Sequence, residues 1–530
     1  MKKITLLAAM IIACAFANAQ TPKVSTQWES TFNKNLQKKS VYNDYLGEDA
    51  QSYFLLTAQV GQNPLYIVYG AEKYDKKTLK PTSSNVFNEI GAIKKTYKVG
   101  NEAYACVTEN PPQYFKVTKD PICGFYKFNK DKMTFESITQ QFSGVNFKNL
   151  EDLYVSPDNS KVLFVFLEES KKKNEDDSYQ FLLTDNQMNK IWEKTVKTSV
   201  ITTFAVANDG TAYAAIKNKK DKNNFEYTIL KASSDSEKRF TVNMNNYMYQ
   251  EIELLTNNNN KLLAIGFYTD NANEEKTGSY YFAMNANFDK AENVSYQEIP
   301  VKWLNLHHKK KKLSERYEDY EFGVPLYGEN GEIVVCVEEN ANRISTHTET
   351  TYWTGNTAGS PTSTTGGGRV ASTSTSSSKR NFYYDLYVFK INGDQLAWTK
   401  RVPKYQGNIE SGDKTKGAPQ LGDILSYQAF LSGDNVVVVF ADNIKKNMQN
   451  NENSENVTMT YGTSQMDGNL VSVTLDKDGK QKKEVVNTSA LTKDKLDPEM
   501  TKCFHITNNQ AIVSARKKTD CKMGIITVTP

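Results

Sequence analysis

One short pattern recurs along this 530-residue chain and constrains its fold more than any other feature. In "YVSPDNSKVLFVF" (154–166), two runs of alternating apolar and polar residues flank a turn at Pro157, Asp158 and Asn159. Such alternation predicts half-buried β-strands, and Asn, Asp and Gly accept the positive φ angles of tight hairpin turns. Seven copies of this first hairpin type turn at 100–101, 157–159, 209–210, 257–260, 330–331, 433–434 and 508–509. We therefore interpret Asp158 as a turn residue rather than a catalytic acid.

A second hairpin type alternates with the first and also occurs seven times. Its copies span 65–79, 124–135, 179–192, 227–240, 280–296, 386–398 and 470–483. Two hairpins make a four-stranded antiparallel unit, and such units repeated around an axis form a β-propeller. We predict an all-β fold, a single propeller over residues 20–530 with seven blades, and keep eight or six blades as alternatives. The C-terminal strands are expected to complete the N-terminal blade, and "MGIITVTP" has no clean place in the seven-blade count.

Two of these repeats resemble those of known propeller families. "YVSPDNSKVLF" is similar to the Ser-Pro-Asp repeat of the TolB and WD40-like propellers. "LTDNQMNKIWEKTV" and "KINGDQLAWTKRV" resemble the outer hairpins of quinoprotein-like propellers, in which a turn precedes a Trp, here Trp192 and Trp398. Only these two hairpins carry the Trp, and the resemblance covers short pieces of each blade. It implies the propeller class and no ligand, and we expect both Trp side chains to pack within the blades.

The N-terminus has the three-part pattern of a bacterial secretory signal peptide over residues 1–19. Lys2 and Lys3 precede an apolar run, and "ANA" precedes Gln20. We therefore expect export to the periplasm or the cell exterior, with association with the outer membrane as an option. The string "IIAC" leaves a lipid anchor at Cys14 open. No stretch reaches the about 20 apolar residues of a transmembrane helix, so we expect no transmembrane segment.

Charge and composition favour neither nucleic acid nor metal as a partner. Without the two lysines of the signal peptide the formal charge falls from +4 to +2, so we expect no nucleic-acid partner. The mature chain has no Cys-x-x-Cys pair, and its four histidines have no ligand spacing. We therefore expect no metal ion and no other cofactor. Cys106 and Cys123 lie on segments predicted as adjacent antiparallel strands, which predicts a disulfide between them.

Two insertions are the expected working surface. Residues 344–380 are dominated by Ser, Thr and Gly, a composition that favours a disordered loop, in which Tyr352 and Trp353 are the bulky pair. The second insertion begins with the basic run His307, His308, Lys309 and Lys310 and continues into an acidic stretch. These six residues are our candidate contacts with a protein or glycan of the cell envelope.

Catalytic patterns are weak. The chain has no Gly-x-Ser-x-Gly elbow, and "LDKDGKQ" places its Gly too early for an EF-hand loop. Adjacent carboxylates at Glu168–Glu169 and Glu338–Glu339 follow predicted strands, and paired carboxylates can hydrolyse glycosides. We expect a non-catalytic binding or scaffold protein. The alternative is a secreted hydrolase that uses acidic residues at the axial face of the propeller.

Overall fold

The chain is a β-propeller with eight blades among its described residues; seven of them are four-stranded, and one has seven strands. The computed structural model describes residues 22–29, 40–60, 67–87, 91–108, 123–172, 175–219, 225–243, 247–270, 277–300, 320–353, 370–409, 425–455, 457–461, 469–494, 496–517 and 520–530. Within the seven four-stranded blades, neighbouring strands are antiparallel, and in all of these but the last they follow chain order from the axis outward. The prediction of seven blades is therefore wrong, whereas the all-β propeller class is confirmed.

The first five blades use consecutive strands. Blade 1 contains β2 (Ser40–Glu48), β3 (Ser52–Val60), β4 (Ile67–Asp75) and β5 (Pro81–Val86). Blade 2 contains β6 (Ile93–Val99), β7 (Glu102–Thr108), β8 (Cys123–Asn129) and β9 (Thr134–Ser137). Blade 3 contains β10 (Leu150–Val155), β11 (Lys161–Glu168), β12 (Asp177–Asp185) and β13 (Lys190–Thr198). Blade 4 contains β14 (Ile201–Val206), β15 (Ala212–Lys219), β16 (Phe225–Ala232) and β17 (Glu237–Thr241). Blade 5 contains β18 (Tyr247–Thr256), β19 (Leu262–Asp270), β20 (Thr277–Met284) and β21 (Ala291–Glu298).

The last three blades are less regular. Blade 6 contains β22 (Tyr320–Phe322), β23 (Leu326–Tyr327), β24 (Glu332–Trp353), β25 (Val370–Asn392), β26 (Gln395–Val402) and β27 (Gln406–Ile409), and β30 (Thr460–Tyr461) joins its edge. Blade 7 contains β28 (Tyr427–Ser432), β29 (Asn435–Ala441), β31 (Leu470–Leu475) and β32 (Gln481–Val485). Blade 8 contains β33 (Asp497–Thr507), β34 (Gln510–Lys517), β35 (Asp520–Thr529) and β1 (Lys23–Trp28). The helices are short: 3₁₀ turns at Thr139–Gln141 and Phe147–Asn149, α1 (Ile444–Asn447) and α2 (Ser489–Asp494).

The ring closes through its N-terminal strand. β1 pairs antiparallel with β35 in an unbroken register, and Trp28 lies opposite Gly524. The sequence predicts that the C-terminal strands complete the N-terminal blade, and this prediction is wrong. Instead, the N-terminal strand completes the C-terminal blade, and "MGIITVTP" forms most of β35. The eighth outer hairpin has its two strands at opposite chain ends, so no local pattern could reveal it.

The hydrophobic core is divided among the interfaces between neighbouring blades. Eight large clusters of buried side chains each join two adjacent blades, and one of them packs Tyr42 and Tyr74 of blade 1 against Ile512 and Ile525 of blade 8. Inner strands of a blade that has a neighbouring blade on each side are buried on both faces, as residues 436–441 of β29 show. The outermost strands stay exposed, as the pattern of β21 shows.

The predicted hairpin turns are confirmed. Asn159 and Asn260 have φ values of 59° and 62°, the left-handed region that Asn tolerates. The two tryptophans pack between blades and tie each to the next: Trp192 Nε1 donates to the Gly210 carbonyl at 3.1 Å, and Trp398 Nε1 donates to that of Lys477 at 2.9 Å.

The two ends of the ring differ in character. We call one end the turn face, because it carries the tight turns between first and second strands and between third and fourth strands. We call the opposite end, where the second strands end and the third strands begin, the loop face. Within the described part of the chain, no helix is long and apolar enough to cross a membrane.

Candidate functional site

Two long paired strands extend blade 6 on the loop face, and β27 pairs with the base of the second one. β24 and β25 pair from Asn340 opposite Tyr383 to Trp353 opposite Val370, and we call residues 340–353 and 370–383 the arm. At about 3.3 Å per residue, each strand of the arm spans about 45 Å. Much of the insertion predicted to be a disordered loop is therefore paired as strand up to residue 353 and again from residue 370.

The predicted partner contacts fall differently on this structure. Tyr352 and Trp353 end the outgoing strand of the arm, where Tyr352 lies opposite Ala371. His307, His308, Lys309 and Lys310 lie outside the described residues. All six residues stay predictions as partner contacts.

The base of the arm contains a buried ion pair. Lys404 Nζ contacts Glu338 Oε1, and the two side chains are 0% and 3% exposed. Ser426 Oγ donates to Glu338 Oε2 at 2.7 Å, and Gln406 Oε1 accepts from Lys404 Nζ at 3.1 Å. Glu338 lies beside the β-bulge that precedes Asn340, where β24 becomes the arm. The pair thus holds blade 6 at the point from which the arm extends.

A second buried pair links the same blade to its neighbour. Arg401 Nε donates to Asp385 Oδ2 at 2.7 Å, and both side chains are 1% exposed. The Arg401 Nη1 atom donates to the carbonyls of Glu452 and Ser454 at 3.1 and 2.8 Å. These carbonyls belong to the long connection of blade 7, so Arg401 fastens that connection to blade 6.

A third buried pair anchors the other end of this connection. Lys483 Nζ lies 2.5 Å from Asp442 Oδ2, and their side chains are 6% and 2% exposed. Asp442 Oδ1 also accepts from Asn447 Nδ2 at 2.7 Å and from Thr460 Oγ1 at 3.2 Å. We call the three ion pairs Glu338–Lys404, Asp385–Arg401 and Asp442–Lys483 the clasp.

Burial dominates the electrostatics of the Glu338–Lys404 pair. It raises the pKa of Glu338, although Lys404 opposes the shift, and it lowers the pKa of Lys404, although Glu338 opposes that shift. Buried ion pairs add little stability over apolar packing, because desolvation offsets their attraction. What the clasp does supply is fixed geometry, since each charged group is held by several directional bonds.

The candidate carboxylates of the hydrolase alternative do not form one site. Glu338 and Glu339 are 3% exposed and lie within β24, and Glu338 is already occupied by Lys404. Glu168 ends β11 of blade 3, three blades away, and Glu169 follows it. The carboxylates that adjacency in sequence singled out are therefore separated in space.

Two other carboxylates lie on the innermost strands. Asp44 and Glu253 belong to blades 1 and 5, on opposite sides of the eight-blade ring. Each accepts a hydrogen bond from a neighbouring blade, Asp44 from Thr96 and Glu253 from Thr203 Oγ1 at 2.9 Å. Burial raises the pKa of Asp44, and it raises that of Glu253 to about 7. The described contacts hold these acids separately and do not pair them.

The cysteines named by the sequence are close but not opposite each other. Cys123 pairs with Thr108, so it is diagonal to Cys106, which pairs with Phe125. Both cysteines are buried free thiols, and burial raises the pKa of Cys106 to about 11. Diagonal neighbours are about 7–8 Å apart, beyond the usual Cα separation of a disulfide. This geometry favours two free thiols, and the bond predicted from the sequence would require the strands to shift.

No group of three or more metal-binding side chains occurs among the residues described here.

No protein-family model and no curated protein matches this chain. Among solved structures, it is similar to the β-propeller domain of the trilobed protease from Pyrococcus furiosus (8% identity, TM-score 0.33, 56% of this chain and 79% of that one). It is also similar to an acylaminoacyl peptidase of Pyrococcus horikoshii (8% identity, TM-score 0.33, 79% of this chain and 60% of that one). A third similar structure is a mutant apocarotenoid oxygenase of Synechocystis (8% identity, TM-score 0.36, 86% of this chain and 91% of that one). At such scores these likenesses carry no argument about function.

Proposed function

We propose that this protein is an exported recognition or scaffold propeller of the bacterial cell envelope, which binds a protein or glycan partner through the arm and the surface around its base. The observation that carries this proposal is the clasp, three ion pairs buried at the base of the arm. A binding surface works best when rigid elements and supporting hydrogen bonds hold it in place. The clasp gives the arm such a support at a point where apolar packing would stabilise the fold equally well.

Export is the first part of the proposal to test. The signal-peptide pattern of residues 1–19 supports it, and cleavage after Ala19 would leave Gln20 at the N-terminus. Cell fractionation followed by mass measurement of the mature N-terminus should find a chain that begins at Gln20 outside the cytoplasm. A lipid-modified Cys14 would assign the protein to a membrane anchor instead, and an uncleaved cytoplasmic chain would contradict export.

Partner binding through the arm is tested by shortening the arm. Replacing residues 344–379 with an Asn-Gly turn joins Arg343 to Arg380, which already lie opposite each other. Thermal stability should stay nearly unchanged, because the pairing of Arg380 with Ile409 of β27 is kept. Affinity purification from the native envelope should then lose the partner that the wild-type protein retains. A matched control is Asn258→Ala, an exposed change on the turn face. Retention of the same partner by the shortened variant would contradict the proposal.

One observation favours the hydrolase as a second candidate. The pKa of Glu253 near 7 suits a general acid at neutral pH. The purified protein can be assayed against a panel of chromogenic glycosides between pH 5 and pH 8. Turnover that Glu253→Gln abolishes, with the fold intact, would replace the binding proposal; its absence across the panel is the result that the binding proposal predicts.

A further inference from the structure

A separate surface lies on the turn face, at the opposite end of the ring from the arm. A cleft of about 720 Å³ opens there between the turns of blades 4, 5 and 6. Its volume falls in the range of about 300–1,000 Å³ that small-ligand sites occupy. Five asparagines contribute to its lining: Asn257, Asn259, Asn260, Asn285 and Asn287.

Three blades hold the main turn of the cleft rigidly. Asn257 Oδ1 accepts from the Lys261 backbone N–H at 2.9 Å, and its Nδ2 donates to the Gly393 carbonyl of blade 6 at 3.0 Å. Asn260 Oδ1 accepts from the Asp209 N–H of blade 4 at 3.1 Å. The cleft is therefore formed in advance, without any need for a ligand to order it.

Two amide side chains remain available to a ligand. Asn259 and Asn287 are exposed, and within the described residues no group hydrogen-bonds to either side chain. Each amide offers two donors and one acceptor oxygen. Asn259 and Asn287 lie on two different turns of blade 5, so together they can hydrogen-bond to groups on both sides of one ligand.

The charges of the cleft are balanced internally. Lys261 Nζ lies 2.5 Å from Asp394 and 3.6 Å from Glu292. Lys231 Nζ lies over the Phe288 ring, 5.7 Å from its centroid. The two cations in the lining are thus engaged and matched by two carboxylates. This balance disfavours a phosphate, a nucleotide or a free cation and favours a neutral ligand.

Apolar side chains form the floor of the cleft. They are 2–4% exposed: Tyr213, Leu262, Met284 and Phe288. An apolar floor with amides at its rim suits a molecule that has C–H faces and hydroxyl edges. We propose that this cleft binds a neutral oligosaccharide, whose hydroxyl groups exchange hydrogen bonds with Asn259 and Asn287. This site is independent of the partner surface at the arm.

The test uses the mature full-length protein and glycan arrays. The arrays carry neutral glucans, mannans and xylans, each as hexasaccharide and as polymer, and polygalacturonate as the anionic probe. We expect retention of neutral glycans, and comparison of the two lengths distinguishes a soluble sugar from a polysaccharide. The proposal would be overturned if the protein retained polygalacturonate in preference to the neutral glycans, or if it retained none of the neutral glycans.

Matched variants locate the binding. Calorimetric titration with the best retained neutral hexasaccharide, or its polymer, should show about tenfold weaker binding for the double variant Asn259→Ala, Asn287→Ala, because two hydrogen-bonding groups are lost. Asn258→Ala, in the same turn but outside the lining, should bind as the wild type does. The arm-shortened variant should also bind normally. Unchanged affinity of the double variant would overturn the assignment of the cleft.

Discussion

Replacing Lys404 with Met tests the clasp, because Met keeps an aliphatic stem and removes the charge. The change leaves Glu338, which is 3% exposed, with Ser426 as its donor. An ionised Glu338 would then be a buried unpaired charge, so the folded chain would bind a proton instead. From an ordinary Glu pKa of about 4.3, that protonation costs about 3.7 kcal/mol at pH 7. This figure agrees with the about 3–5 kcal/mol lost when one partner of a buried pair is removed.

The assay is differential scanning calorimetry at two pH values. Unfolding entropy is about 2.1 cal/mol/K per residue, so for about 510 residues a loss of about 4 kcal/mol lowers the Tm by about 4 °C. Burial raises the pKa of folded Glu338, so the folded state gains protons and stability as the pH falls. At pH 5 the protonation cost is about 1 kcal/mol, and the deficit should shrink accordingly. Adding Glu338→Gln should restore most of the Tm at pH 7. A wild-type Tm for Lys404→Met at pH 7, or a deficit that persists at pH 5, would refute the reasoning.

Three further predictions concern the axis, the closure and the thiols. Burial raises the pKa of folded Glu253 to about 7, so the stabilising contribution of Glu253 is lost as the pH rises through 7. Glu253→Gln should therefore raise the Tm at pH 8.5 and leave it unchanged at pH 4.5. An equal change of the Tm at both pH values would contradict the pKa shift. Gly524→Ala should cost about 1–3 kcal/mol in denaturant unfolding, because the new methyl group meets the Trp28 ring, and adding Trp28→Ala should give a non-additive result. Alkylation of the denatured, unreduced protein should label both Cys106 and Cys123, since they are diagonal; a mass lower by two hydrogens would show that they are bonded.

The repeated part of the fold could be predicted from the sequence, because each hairpin is a local pattern with its own turn chemistry. The blade count could not, for two physical reasons. β1 has only six residues and finds its partner strand about 500 residues away. The first strand of blade 1 has β-bulges between Tyr42 and Asp44 and between Tyr45 and Gly47, which break the alternation that identifies a strand.

The candidate site was less accessible to sequence reasoning. Glu338 was singled out by its neighbour Glu339, but its partner Lys404 is 66 residues away, where no periodicity connects them. The pKa shifts follow burial, which depends on the packing of blades 6 and 7. The paired strands of the arm were also missed, because a Ser/Thr-rich composition says little about the register that backbone hydrogen bonds impose.

Photo-crosslinking in the native cell envelope tests the central proposal most directly. A photoreactive phenylalanine analogue at Asn453, an exposed residue of the blade 7 connection beside the clasp, should capture one specific partner. The same analogue at Asn258 on the turn face should not capture that protein. The adduct at Asn453 should also be lost when the analogue is placed in the arm-shortened variant. A protein adduct from Asn258 and none from Asn453 would contradict the proposal that the loop face binds the partner.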